Sequence, residues 1–239
     1  MKHRFLRQAV LSILFAGFCI LSLFACSDDS TGPPQALPPT EGFTFFELTS
    51  SSRLSSDLRS TLEDKLGSDA IARRSTLDLQ IGPDGVLEAN FPKVKSLNQR
   101  LNYSPRERIE HNITKLMYRY PSRKELPFSF VELTFSNYTG KPLVFHTTAR
   151  QEGATVLQTL KEKYGPPQMA TWDNGEQKAQ FWRKPGELMI VYVLRDRFEN
   201  PDYQVQLLFL DALEELVLTE EKEREAQTQE KKKAVREAF

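Results

Sequence analysis

The chain has 239 residues, with 32 Lys and Arg balanced by 32 Asp and Glu, and 39% of it is hydrophobic. That length suits one domain or two small ones. A formal charge of zero gives no bulk attraction to nucleic acid, which calls for a strongly basic face.

Lys2, His3, Arg4 and Arg7 make a basic start, and residues 9–24 form an uncharged stretch rich in Leu, Ile, Phe, Val and Ala. The run Leu23-Phe24-Ala25-Cys26 closes this stretch, and a polar, proline-rich segment follows at once. At about 1.5 Å of rise per residue the apolar stretch barely spans a bilayer core of about 30 Å. A signal peptide over residues 1–25, cleaved before Cys26, is therefore expected, with an uncleaved signal anchor as the alternative. The order resembles a bacterial lipoprotein signal peptide, in which the lipobox cysteine is acylated and becomes the new N-terminus. The resemblance implies that Cys26 is the lipid anchor and that membrane lipid is its partner. It also implies a place in the bacterial cell envelope. Ser27 directly after the cysteine fits an outer-membrane protein facing the periplasm. Cleavage removes Lys2, Arg4 and Arg7 with no acid, taking the formal charge from 0 to −3, and Cys19 leaves with the signal. No thiol is then free for an intrachain disulfide, a metal site or nucleophilic attack.

Residues 27–42 carry four prolines and two glycines among short polar residues. Such a segment buries too little apolar surface to fold and reads as a tether with polyproline II character. At about 3.1 Å per residue it reaches roughly 50 Å. A first α+β module is expected over 43–125 and a second over 126–218, followed by a polar helical tail over 219–239.

Leu58, Leu62 and Leu66 mark a helix that Gly67 ends. Pro83-Asp84-Gly85 between Ile81 and Val86 signals a hairpin. Ser104-Pro105-Arg106-Glu107 reads as a capping box, and Ile109, Ile113, Leu116, Met117 and Tyr120 as the apolar stripe of a helix that Pro121 stops. Val131, Leu133 and Phe135 alternate with Glu132 and Thr134, and Leu143, Phe145 and Thr147 follow in the same style. A third helix carries Leu157, Leu160 and Tyr164 and ends at Gly165-Pro166-Pro167. Asn174-Gly175 predicts a hairpin between Trp172 and Phe181; residues 188–194 are almost continuously apolar; and Tyr203, Val205, Leu207 and Phe209 alternate with Gln204 and Gln206. Helices inserted between hairpins of antiparallel sheet give an α+β class with a long C-terminal helix.

Residues 43–49 match residues 128–134 at five of seven positions, and residues 61–67 line up with residues 159–165 in the same order. Their colinearity suggests a duplicated strand-helix-hairpin module, with convergence on a common pattern as the alternative. Residues 152–210 offer a helix ending in Tyr164-Gly165-Pro166-Pro167, then strands bearing Trp172, Phe181-Trp182 and residues 188–193. This resembles the helix, Gly-x-Pro, β-meander module of small outer-membrane-assembly lipoproteins of the E-subunit type. The resemblance implies a scaffold without catalytic residues.

No phosphate loop, dinucleotide fingerprint, His-Glu-x-x-His or Gly-x-Ser-x-Gly run occurs in the sequence. No cofactor, metal site or catalytic residue is expected. His111, four residues after Glu107, reads as half of an exposed helical pair, and His146 as a hydrogen-bonded sheet residue. Trp172 and Trp182 flank the Asn174-Gly175 turn and offer either an aromatic binding face or cross-strand packing. Residues 93–124 hold nine basic residues against Glu107 and Glu110, and residues 211–225 hold seven acids against Lys222 and Arg224. These are two solvated faces, facing each other or offering a basic surface to anionic lipid or an acidic partner. In the tail Leu213, Leu216 and Val217 are expected on the sheet and Glu220 paired with Arg224, with a solvated helix over residues 223–239 and a docking arm that orders on a partner as the alternative. The expected function is that of an envelope scaffold or assembly factor acting through a protein partner, without enzymatic activity or nucleic acid. A module gripping a small or glycan ligand at Trp172 and Trp182 is the alternative, and an enzyme using surface carboxylates the third.

Overall fold

In a computed structural model the described residues are 42–81, 85–104, 106–150, 152–172, 177–195 and 198–239. The expected signal peptide, Cys26, residues 27–41 of the tether, Pro83-Asp84, Pro105 and the Asn174-Gly175 turn lie outside them.

Helix α1 (Ser56–Leu66) starts where the Ser55 side chain accepts the Leu58 N–H, and it buries Leu62 and Leu66. Strand β1 (Ala70–Ser75) follows, then the short α2 (Val86–Asn90) and α3 (Pro92–Leu101). In α3 the proline opens the first turn, and Val94, Leu97 and Leu101 make the buried stripe. Strands β2 (His111–Tyr118), β3 (Phe130–Ser136) and β4 (Pro142–Ala149) lead to α4 (Gly153–Tyr164). Strands β5 (Gln168–Trp172), β6 (Gln177–Lys184), β7 (Glu187–Arg195) and β8 (Pro201–Phe209) then hand over directly to α5 (Leu210–Ala238).

The strands form a single antiparallel sheet in the order β1-β2-β3-β4-β8-β7-β6-β5. Two four-stranded meanders therefore meet along β4 and β8. The chain passes from one meander to the other between Ala149 and Gln168, by way of α4.

Both faces of the sheet are covered. On one, Val94, Leu97 and Leu101 of α3 and Leu213, Leu216 and Val217 of α5 pack with Ile113, Leu188, Ile190 and Leu208. On the other, Phe43, Leu62 and Leu66 pack with Leu116, Val131, Leu133, Phe135, Phe145 and Phe209, and Leu157, Leu160 and Tyr164 of α4 join them. Each fully buried Leu or Phe contributes roughly 1.5–3 kcal/mol, and the two clusters leave β7 buried on both sides, hence its near-continuous apolar run.

Three sequence expectations are corrected. Residues 111–118 are strand β2 instead of a helix, because in a sheet covered on both faces Ile113 and Leu116 are buried on opposite sides, which imitates helical spacing. Val86 begins α2 instead of the second strand of a hairpin. Residues 43–49 are a turn closed by a lone Phe45–Leu48 bridge and are not the counterpart of β3.

Candidate interaction surface

The acidic stretch of α5 is held by the protein's own basic groups. Arg100, near the end of α3, donates from Nε and Nη2 to Glu221 at 2.9 and 2.7 Å and from Nη1 to Glu214 at 2.5 Å. This fork raises the Arg100 pKa and holds the Glu221 carboxyl below its ordinary value. Lys141 reaches Glu215 at 2.7 Å. Tyr138 donates to Glu223 at 2.7 Å, and burial together with that bond pushes its pKa up to about 12. The Arg224 guanidinium stacks 3.9 Å above the Tyr103 ring. The two charged stretches thus meet at Arg100 and at Lys93, which lies 3.8 Å from Asp211.

His111 is 1% exposed and sits on β2, so the solvated helical pair with Glu107 does not form. Its Nδ1 lies 2.6 Å from Glu220, whose other oxygen accepts the Asn112 N–H at 2.9 Å. The carboxylate only accepts, so Nδ1 carries a proton; Nε2 is buried without a partner. Glu220 is thus taken up by β2 instead of Arg224. His146 is the hydrogen-bonded sheet histidine expected, its Nε2 2.7 Å from the Gln204 side chain.

The two tryptophans do not share a face. Trp172 pairs with Gln177 across β5 and β6, and Trp182 lies an odd number of residues further on, so the pleat turns it to the opposite side. Trp172 is 7% exposed in the cluster under α3, while Trp182 is 5% exposed in the cluster under α4 and donates to the Gly165 carbonyl at 2.8 Å. The opening beside Trp182, about 170 Å³ and lined also by Phe43, Tyr164 and Lys184, falls below the usual size of a ligand pocket, about 300–1,000 Å³. Both indoles are core residues, and the aromatic binding face is set aside.

The point where the proline-rich segment meets the folded unit is fixed. Phe43 is fully buried, its N–H donates to Glu187 at 2.6 Å, Lys184 donates to the Gly42 carbonyl at 3.0 Å, and the Thr44 N–H reaches the Tyr164 hydroxyl at 3.0 Å. Glu187 is only 4% exposed, so the first residues of the unit are clamped by a buried carboxylate.

A further opening lies at the other end of the sheet. A groove of about 470 Å³ runs between the start of α1 and strands β1 and β2, lined by Leu54, Ser56, Arg59, Ile71, Arg73 and Asn137 among others. Its apolar and polar walls alternate because Ile71 pairs with Leu116 and Arg73 with Thr114 on one face of the sheet. One wall is fixed by the Arg59 guanidinium, which donates to both oxygens of Asp69 at 2.8 and 2.7 Å; that bond raises the Arg59 pKa. Arg73 is exposed and makes no hydrogen bond or ion pair with the described residues. The outer edge of β1 has no strand beside it. At Arg74, whose φ is +56°, the β1–β2 register shifts and the ladder breaks. The sequence analysis missed this surface; the Arg73-Arg74 pair with no acid in residues 70–75 was its one local signal.

Among the described residues no cluster of His, Cys, Asp and Glu has the geometry of a metal site, and no helix is long and apolar enough to cross a membrane. Compared with protein families, with characterised proteins and with solved structures, the chain matches none.

Proposed function

We propose that the chain is a bacterial envelope lipoprotein, anchored through an acylated Cys26 in the outer membrane and facing the periplasm, that serves as a non-enzymatic scaffold or assembly factor through contacts with a protein partner. The observation that carries the reading is the order of the sequence itself: basic start, apolar stretch, Leu23-Phe24-Ala25-Cys26, then a proline-rich segment. The clamp on Phe43 supports it, because a leash transmits position only if it enters the folded unit at a defined point. Arg119, Arg123 and Lys124, beyond the end of β2, stay exposed and offer positive charge for contact.

The folded unit itself reads as a duplication of a helix followed by a four-stranded meander. Supporting this, residues 61–67 and 159–165, which align in sequence, are the ends of α1 and α4. Both helices cap at glycines of matching backbone, Gly67 with φ +89° and ψ −173° and Gly165 with φ +81° and ψ −173°. Each glycine N–H closes on the carbonyl four residues back, Glu63 and Lys161.

The test is metabolic labelling with an alkynyl fatty acid in a bacterial host. The wild type is expected to carry label and the Cys26→Ala variant none, with an unprocessed precursor accumulating. Equal labelling of the variant overturns the reading.

A further inference from the structure

We propose that the outer edge of β1 accepts an extended acidic segment of a protein partner, which adds to the sheet as a ninth strand with alternate side chains against Ile71 and Arg73, at the outer rim of the groove beside α1. The proposal rests on the scaffold reading and gives its partner a chemistry.

An edge strand turns alternate N–H and C=O groups outward, and proteins usually blunt that edge with charge, a bulge or a covering element. Here the bulge lies only at the far end, at Arg74, no strand among the described residues pairs with the outer side of β1, and Ala70, Ile71 and Arg73 are exposed. Strand addition draws affinity from such backbone groups and specificity from pockets for alternate side chains. The free edge supplies the backbone groups, and the rim of the groove supplies alternate side-chain contacts. Ile71, 38% exposed, and Arg73, two residues on, point to the same side, as do Leu116 and Thr114 behind them. An apolar residue beside Ile71 and an acid beside Arg73 therefore meet the outer rim of the groove from one incoming strand. Arg59 is already spent on Asp69 and acts as wall, whereas Arg73 is an unpaired cation beside apolar surface.

Charge selects the occupant. Arg73 is exposed and unpaired, while Arg74 lines another opening with Glu110, Glu220 and Glu223, so an acid placed beside Arg73 is complementary to this edge. A second copy of this chain pairing edge to edge instead brings the unpaired Arg73 of both copies to one short junction with no acid on either strand.

The probe is a short fluorescent threonine-rich peptide, blocked at both ends, with Val and Glu two positions apart, titrated against the full-length protein and read by anisotropy. It is compared with the same peptide carrying Lys for Glu and with one N-methylated at alternate residues. Saturable binding of the acidic peptide below about 1 mM is expected, with the lysine peptide and the N-methylated peptide each at least about tenfold weaker. Arg73→Glu is expected to weaken the acidic peptide about tenfold and to favour the lysine peptide, while Arg236→Glu, the same charge change on the exposed end of α5, leaves both unchanged. No saturable binding, equal binding of the N-methylated peptide, or indifference to Arg73→Glu each overturns the proposal. So does a dimer in sedimentation that Arg73→Glu abolishes, which assigns the edge to a second copy. Peptide binding does not depend on fatty-acid labelling, so failure here is distinguishable from failure of the lipoprotein assignment.

Discussion

Removing the Glu220 carboxylate tests how α5 is fastened to the sheet. Glu220 accepts from His111 Nδ1 and from the Asn112 backbone N–H, and its own side chain is 20% exposed while that of His111 is 1% exposed. In Glu220→Ala the histidine donor stays buried with nothing to meet it, since its other nitrogen already lacks a partner. Hydrogen bonds to a charged group are worth about 1.5–3 kcal/mol, and an orphaned buried donor costs about 1–3 kcal/mol, so a loss of about 3 kcal/mol is expected. Glu220→Gln keeps one acceptor but turns its amide nitrogen toward the second donor, and is expected to lose about half as much. His111→Phe removes the buried donor together with its need for a partner. Glu220 then keeps the Asn112 N–H and its contact with water, and the cost is about 1 kcal/mol. Urea unfolding at neutral pH reads all three, provided the slope with urea concentration stays constant. The reasoning is refuted if Glu220→Ala costs less than about 0.5 kcal/mol, or if His111→Phe costs as much as Glu220→Ala.

Acid is expected to loosen the same helix. The Glu221 carboxyl is held below its ordinary value of 4.5 by the Arg100 fork, so its stabilisation is fully present above about pH 4.5 and is lost as pH falls through the lower folded value. The urea midpoint of the wild type should fall in that window and that of Arg100→Ala should fall less; parallel profiles contradict the fork. Residues 225–239 of α5 are exposed throughout, so deleting them should change stability by no more than about 0.5 kcal/mol, whereas deletion from Glu220 onward should cost at least as much as Glu220→Ala. Equal effects of the two deletions contradict the placement of the fastening residues.

What was legible in the sequence was local. Leucines at helical spacing with a glycine stop found α1 and α4, alternation found β3, β4 and β8, and the run of acids and leucines found α5. What was hidden depends on contacts distant in the chain. Burial of β2 on both faces erased its period of two, and the Ser104-Glu107 spacing then favoured a helix. The stripe of Val94, Leu97 and Leu101 behind Pro92 was a readable signal for α3. Which face Trp182 takes follows from the β5–β6 register, and no pattern in residues 172–182 fixes that. The partner of His111 stands 109 residues away. Likewise, Ala70 to Ser75 becomes an edge only once the strand order is known, so the groove beside it left only the Arg73-Arg74 pair as a local sign.

The lipoprotein assignment is tested most directly by the intact mass of the protein extracted from the membranes of a bacterial host. The account predicts a chain that begins at Cys26 and is heavier than its polypeptide by a thioether-linked lipid with its acyl chains. A chain that still begins at Met1, or one that begins at Cys26 with no added mass, contradicts it.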